Sequence, residues 1–185
     1  MTGLLPAISP DDVLAFWRNA GPARWFVKDS TFDEELRNRF TSLWEAARDG
    51  ALAPWQDSDH GVLALIIVLD QFPRNIFRDD LRAFATDAMA RAVTHKAVAS
   101  GRDQHTDPDL RAFVYMPLMH SEDMADQQLS LQLFKALGNA DNLQFAELHA
   151  DIIRRFGRFP HRNRVLRRTT TPEEQAFLDS GGFSG

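Results

Sequence analysis

The chain has 185 residues, 21 basic and 26 acidic side chains, 44% hydrophobic residues with 14 Phe and 4 Trp, and no cysteine. This excludes whole-chain disorder, disulfides, thiol catalysis and cysteine-ligated zinc or iron–sulfur clusters. It suits one domain, able to bury roughly 70% of its extended surface without a covalent staple.

Ser9-Pro10 reads as a cap and first helical residue, and Gly21-Pro22 as the stop. Thr31 with Glu34 reads as a capping box for a helix running to about Arg48. The apolar run Val62 to Leu69 fits a buried strand or a buried helix. No second strand candidate exists to pair with it, so a helix ending before Pro73 is expected. The alanine-rich stretch 82–100 predicts a closely packed helix stopped by Gly101. Asp107-Pro108 opens another, which Pro117 breaks or kinks. Ser121 is expected to cap a helix ending at Gly138, and Asn142 to Phe156 to form one ending at Gly157. Thr171-Pro172 with Glu174 caps a last short helix before Gly181-Gly182. The expectation is a single all-α domain over 1–185, with seven to nine helices packed as antiparallel hairpins and 179–185 as a flexible tail. No 34-residue repeat is convincing. The longest apolar run is far short of the ~20 residues that cross a bilayer. Met1 to Pro10 lack the charged start and apolar core of a signal peptide. A cytoplasmic protein without a membrane partner is the expectation.

Charge is unevenly placed. Seven arginines and no acid lie between Ile152 and Arg168, leaving 14 basic against 26 acidic groups elsewhere. Arginine pairs in planar, bidentate fashion with carboxylate or phosphate. The cluster therefore faces either an external anion or acids of the same fold. Two polar stretches echo each other, Phe72-Pro73-Arg74-Asn75 and Phe159-Pro160-His161-Arg162-Asn163. In each, proline should stop a helix and asparagine take the turn geometry that follows, holding the arginine on a stiff corner. A third stretch is His120-Ser121-Glu122-Asp123 with Asp126. Helical spacing places Glu122 and Asp126 on the stripe of Leu129, Leu133, Ala136 and Leu137, with Asp123, Gln127 and Ser130 on a more polar face. Phe145, Leu148, Ile152 and Phe156 form a second apolar stripe, with His149 at its edge.

A buried carboxylate recruits a cation, and Arg74, Arg158 and Arg162 are the candidates. One account is a structural acid–arginine network. The other is a pocket for a small anion, with Arg74, Asn75, Arg158 and Arg162 as binding groups and Glu122 and Asp126 orienting them. His120, His149 or His161 is then available for proton transfer, His120 and His161 being the catalytic candidates. No metal is assigned, because no pair of good ligands shares a helical face and nearby arginines repel cations. Ser121 lacks a nucleophile elbow, and no glycine-rich phosphate loop or dinucleotide fingerprint supports a nucleotide cofactor. The acidic remainder argues against nucleic acid as a partner.

The chain resembles the bacterial family catalogued as domain of unknown function 924. The resemblance is carried by three blocks in order: Leu69 to Asn75, Tyr115 to Asp123 and Arg155 to Asn163. Val13-Leu14-Ala15-Phe16-Trp17, Trp25-Phe26 and Thr171-Pro172-Glu173-Glu174 fit as well. The resemblance implies an all-α fold of the tetratricopeptide-like superhelical type, and it implies no reaction and no catalytic residues. A binding protein for a small anionic molecule leads. An adaptor that takes a peptide in a groove, and a metal-dependent hydrolase, are the alternatives.

Overall fold

Helix α1 (Pro10–Ala20) begins where expected: the Ser9 side chain accepts from the Asp12 amide while Asp12 accepts from Ser9. Its apolar face buries Val13, Leu14 and Trp17. A short α2 (Pro22–Trp25) follows, and the Trp25 indole donates to the Trp17 carbonyl at 2.7 Å. Helix α3 (Ser30–Arg48) is capped by Asp29, whose carboxylate accepts from the Thr31 and Phe32 amides. The expected Thr31–Glu34 box is thus corrected, because Thr31 already lies inside the first turn. Trp17, Phe32, Phe40, Phe72 and Phe113 are almost wholly buried and meet as tilted and edge-on rings.

The computed structural model describes residues 8–183. The rest of the segment read for a signal peptide, and the end of the expected tail, lie outside the described residues. Two units emerge, one comprising residues 1–78 and 82–117, the other 79–81 and 118–185. Every described element is helical, with no strand among the described residues.

In the first unit, α4 (Asp59–Ile66) carries the apolar run and is capped by the Ser58 hydroxyl. It passes into a π-helical turn, Ile67–Gln71, and then into α5 (Phe72–Ile76). Pro73 therefore does not stop the helix, contrary to expectation. A proline lacks the amide that would pair with the carbonyl four residues back and crowds that carbonyl. The wider turn relieves the crowding: the Phe72 amide reaches back to Ile67, and Leu69 accepts from the Thr86 hydroxyl at 2.6 Å. Thr86 also accepts from the Trp44 indole at 3.1 Å. All three groups are buried. Thr86→Val, nearly isosteric, strands both a buried donor and a buried acceptor, so it should cost roughly 2 kcal/mol. Urea denaturation read by tryptophan fluorescence checks this, and an unchanged midpoint refutes the role given to the hydroxyl.

The alanine-rich helix α6 (Asp87–Ala99) starts later than expected, after a 3-10 turn, Leu81–Phe84. Helix α7 (Arg111–Met119) runs through Pro117 without breaking. In the second unit, α8 (Met124–Leu137) is capped by Asp123, not Ser121. It pairs with α9 (Ala140–Phe156) as a hairpin. Gly138 and Gly157 both stop helices in left-handed geometry, as read from sequence. Helix α10 (Pro172–Asp179) has the expected capping box, with Thr171 and Glu174 reciprocally bonded.

Candidate functional site

The two echoing Phe-Pro stretches perform the same local task by a route that the sequence does not reveal. Asn75 lies inside α5, contrary to expectation, whereas Asn163 caps the 3-10 turn Pro160–Arg162 and enters a turn, as expected, with right-handed backbone angles. Each points its amide at a buried carboxylate. Asn75 donates to Asp33 at 2.9 Å, and Arg78 grips the same carboxylate through Nε and Nη2. Asn163 donates to Glu174 at 3.0 Å, and Arg158 holds both oxygens of that carboxylate, at 2.6 and 2.8 Å. The Thr171 amide adds a fourth bond to Glu174 at 2.8 Å. The bond from Arg158, with those from Thr171 and Asn163, outweighs burial and holds the Glu174 carboxyl down at about 2.

The remaining candidates sort by partner. Arg74 lies within the first unit, between Asp70 at 3.2 Å and Asp87 at 3.0 Å. Burial opposes its charge, yet the two aspartates outweigh that and raise its pKa above the ordinary value. In the second unit, Glu122 takes Arg168, with bonds of 2.9 to 3.1 Å, and the Phe159 amide at 2.9 Å. Glu122 thus orients Arg168, which was not among the expected arginines. Asp126 is buried as expected and accepts from the Ser121 hydroxyl at 2.7 Å. Helix α8, however, buries Gln127, Ser130 and Phe134 rather than the leucine stripe. The Gln127 amide donates to the Met119 and Ser121 carbonyls, both at 2.7 Å, so a polar side chain is drawn inward to close the end of α7. On α9 the expected stripe is likewise displaced: Phe145 is 53% and Leu148 38% exposed, whereas His149 is buried.

What the second unit does gather is a ring cluster on Phe159. The Arg162 guanidinium lies 4.4 Å from the Phe159 ring centre, and the residue is only 6% exposed. His149 and His161 meet the same ring at 5.4 and 5.6 Å, and His120 lies 6.1 Å from His149. Four segments build this cluster: the end of α7 brings His120, α9 His149, and the 3-10 turn Pro160–Arg162 places His161 and Arg162. The fourth is the segment after α10, which brings Phe183 to 4.6 Å from His149 and 5.3 Å from His161. His149 Nδ1 stands 2.7 Å from the Phe145 carbonyl. A carbonyl only accepts, so Nδ1 carries a proton in this bond. Phe159 and Phe183 were missed as site residues. An aromatic directly after a glycine pair was the available signal for Phe183. Among the described residues, no three His, Asp or Glu side chains converge as metal ligands would.

Fold and cluster together define an all-helical protein with two asparagine–arginine–carboxylate clamps and one arginine–histidine–aromatic centre. The chain belongs to the bacterial family of proteins of unknown function DUF924, which it matches over residues 13–182. It is similar to a solved structure from Agrobacterium tumefaciens, that of the protein of unknown function ATU0120, at 45% identity and a TM-score of 0.90. That similarity covers 93% of this chain and 97% of the other. No curated protein matches the chain. No helix among the described residues is long and apolar enough to cross a membrane.

Proposed function

We propose that the second unit binds a small anion at Arg162, with His149 and His161 beside it as proton-handling groups. One observation carries this reading: a buried guanidinium and two histidines share a single phenylalanine ring. Arginine offers a planar fork of donors that matches a carboxylate or phosphate, and it stays charged at every working pH. Attraction to an anion is stronger there than at the surface, because little water screens it. Of the residues read from sequence as the pocket, Arg158, Glu122 and Asp126 act in this reading as the frame, while Arg74 and Asn75 belong to the first unit and take no part. Each is held by the internal partners described above.

Thermal melting against phosphate and small carboxylates tests the proposal. An anion at ~100 times its dissociation constant adds about 2.7 kcal/mol, which in a chain of this size raises the midpoint by roughly 5–10 °C. Arg162→Ala should abolish that rise while the ligand-free variant still melts cooperatively. An anion response that survives the substitution, or none from any anion in the native chain, ends this reading.

A further inference from the structure

Helix α9 buries Ala146, His149, Ala150, Ile152 and Ile153 and turns a second row of side chains to water. In that row Asp141, Phe145, Leu148 and Arg155 are all exposed. Residues seven apart return to nearly the same side of a helix. Asp141, Leu148 and Arg155 therefore stand in one line, at intervals of about 10 Å. Phe145 lies about one turn before Leu148 on the flank of that line. The face thus has an apolar middle, an acid at one end and a base at the other. Single exposed apolar residues are ordinary, but here a phenylalanine and a leucine adjoin.

The order of the charges decides what fits. A second α9 running antiparallel, related by a twofold axis at Leu148, sets leucine on leucine. It also sets Asp141 of each copy opposite Arg155 of the other. A parallel copy would set acid on acid and base on base, and the helix dipoles also favour the antiparallel arrangement. Such a pairing uses one face twice and closes on itself. Arg155 lies 3.6 Å from Asp151 and over the Phe156 and Phe177 rings, at 4.8 and 5.1 Å. Those contacts steady the side chain while half of it stays in water, so a second acid can join without displacing them.

We infer that the chain forms a weak, twofold-symmetric dimer through this face of α9. The inference does not depend on the anion site. One helix pair covers less than the roughly 1,200 Å² that the smallest standard interface buries. The dimer therefore forms at high concentration, exchanges quickly and is weakened by salt.

Sedimentation velocity of the full chain, from micromolar to millimolar concentration, tests this. The average mass should rise towards that of a dimer, and further at low salt than at high. Leu148→Asp should weaken association at least about tenfold. Asp141→Lys and Arg155→Glu should each weaken it about tenfold, and the double reversal D141K/R155E should recover the native value to within about threefold. All three positions are exposed, so the melting midpoint of the monomer should change little. If Arg155→Glu does not fold, Asp141→Lys and Leu148→Asp carry the test. The chain has no cysteine, so Leu148→Cys adds a direct reading. A disulfide needs the two Cα atoms within about 7 Å, which the twofold axis supplies. Mild oxidation should therefore join Leu148→Cys into dimers far faster than Gln132→Cys, which is exposed on α8. A chain that stays monomeric throughout overturns the inference and leaves the face to a partner other than a second copy. A dimer that none of these substitutions touches overturns it as well, because another surface then holds the copies together.

Discussion

Glu174→Ala should lower the unfolding midpoint by roughly 10 °C, the equivalent of about 3–5 kcal/mol in a chain of this length. The carboxylate joins three separate pieces of the second unit: Arg158 just after α9, Asn163 after the 3-10 turn and the Thr171 amide at the start of α10. Its removal leaves an arginine, the buried Asn163 amide and the part-buried Thr171 amide without this acceptor. Breaking a clamp from one side in this way costs more than the clamp ever contributed, because the remaining groups are still dehydrated. Glu174→Gln keeps the shape and part of the bonding, so it should fall between the two. Acid gives an independent reading. The folded carboxyl titrates at about 2 against an ordinary 4.5, so the unfolded chain takes up the proton first as pH falls. The clamp's full contribution, on the order of 2–3 kcal/mol, is therefore present above about pH 5 and fades as pH falls towards 2. Native chain and Glu174→Gln should converge in stability over that window when followed by circular dichroism. A gap independent of pH would mean that the charge of Glu174 contributes nothing.

Gly61→Ala should destabilise the first unit by about 3 kcal/mol or more, with a sign opposite to helix propensity. Within a helix, alanine is ordinarily favoured over glycine by about 1 kcal/mol. Gly61, however, sits in the first turn of α4 where the chain crosses the preceding 3-10 turn. A Cβ there would lie 2.0 Å from the Trp55 carbonyl oxygen and 2.9 Å from the Ser58 hydroxyl. The obstruction is backbone, which cannot swing aside as a side-chain end can. Either the turn or α4 must move, and α4 is buried along nearly its whole length. Misfit of this kind in a packed region typically costs 1–3 kcal/mol, to which the lost Ser58 cap adds about 1 kcal/mol. All four tryptophans lie in the first unit, so fluorescence in urea reports it directly. A neutral or stabilising effect would show that the approach of Trp55 to Gly61 is not held in solution.

The readability of this chain differs with the range of the interaction. Caps and stops made by neighbouring residues were legible: Ser9 with Asp12, Thr171 with Glu174, and the glycines at 138 and 157. Where several capping residues compete within a few positions, as at Asp29 against Thr31 or Asp123 against Ser121, composition names the region but not the residue. Long-range partners were not legible. Asn75 reaches Asp33 and Glu122 reaches Arg168 across more than forty residues, and nothing local marks either pairing. The buried face of α8 went unread because three carbonyls at the end of α7 draw Gln127 inward. Periodicity treats glutamine as a surface residue and cannot register that demand. Of the three stretches selected for their polar content, one holds Arg74, paired with Asp70 and Asp87, one holds Glu122, paired with Arg168, and the third holds the Arg162 cluster.

The π-helical turn at Ile67–Gln71 also fixes the phase of α5, which follows it directly. Such a turn is an α-helix that has accepted one surplus residue, and each residue advances a helix by about 100°. Without the surplus, Pro73, Arg74 and Asn75 would each face roughly a quarter-turn away. Arg74 would leave Asp87, and Asn75 would leave Asp33. The carboxylate clamp of the first unit is therefore a matter of counting as well as chemistry: one residue more or fewer between Ile67 and Gln71 dismantles it while every side chain stays the same.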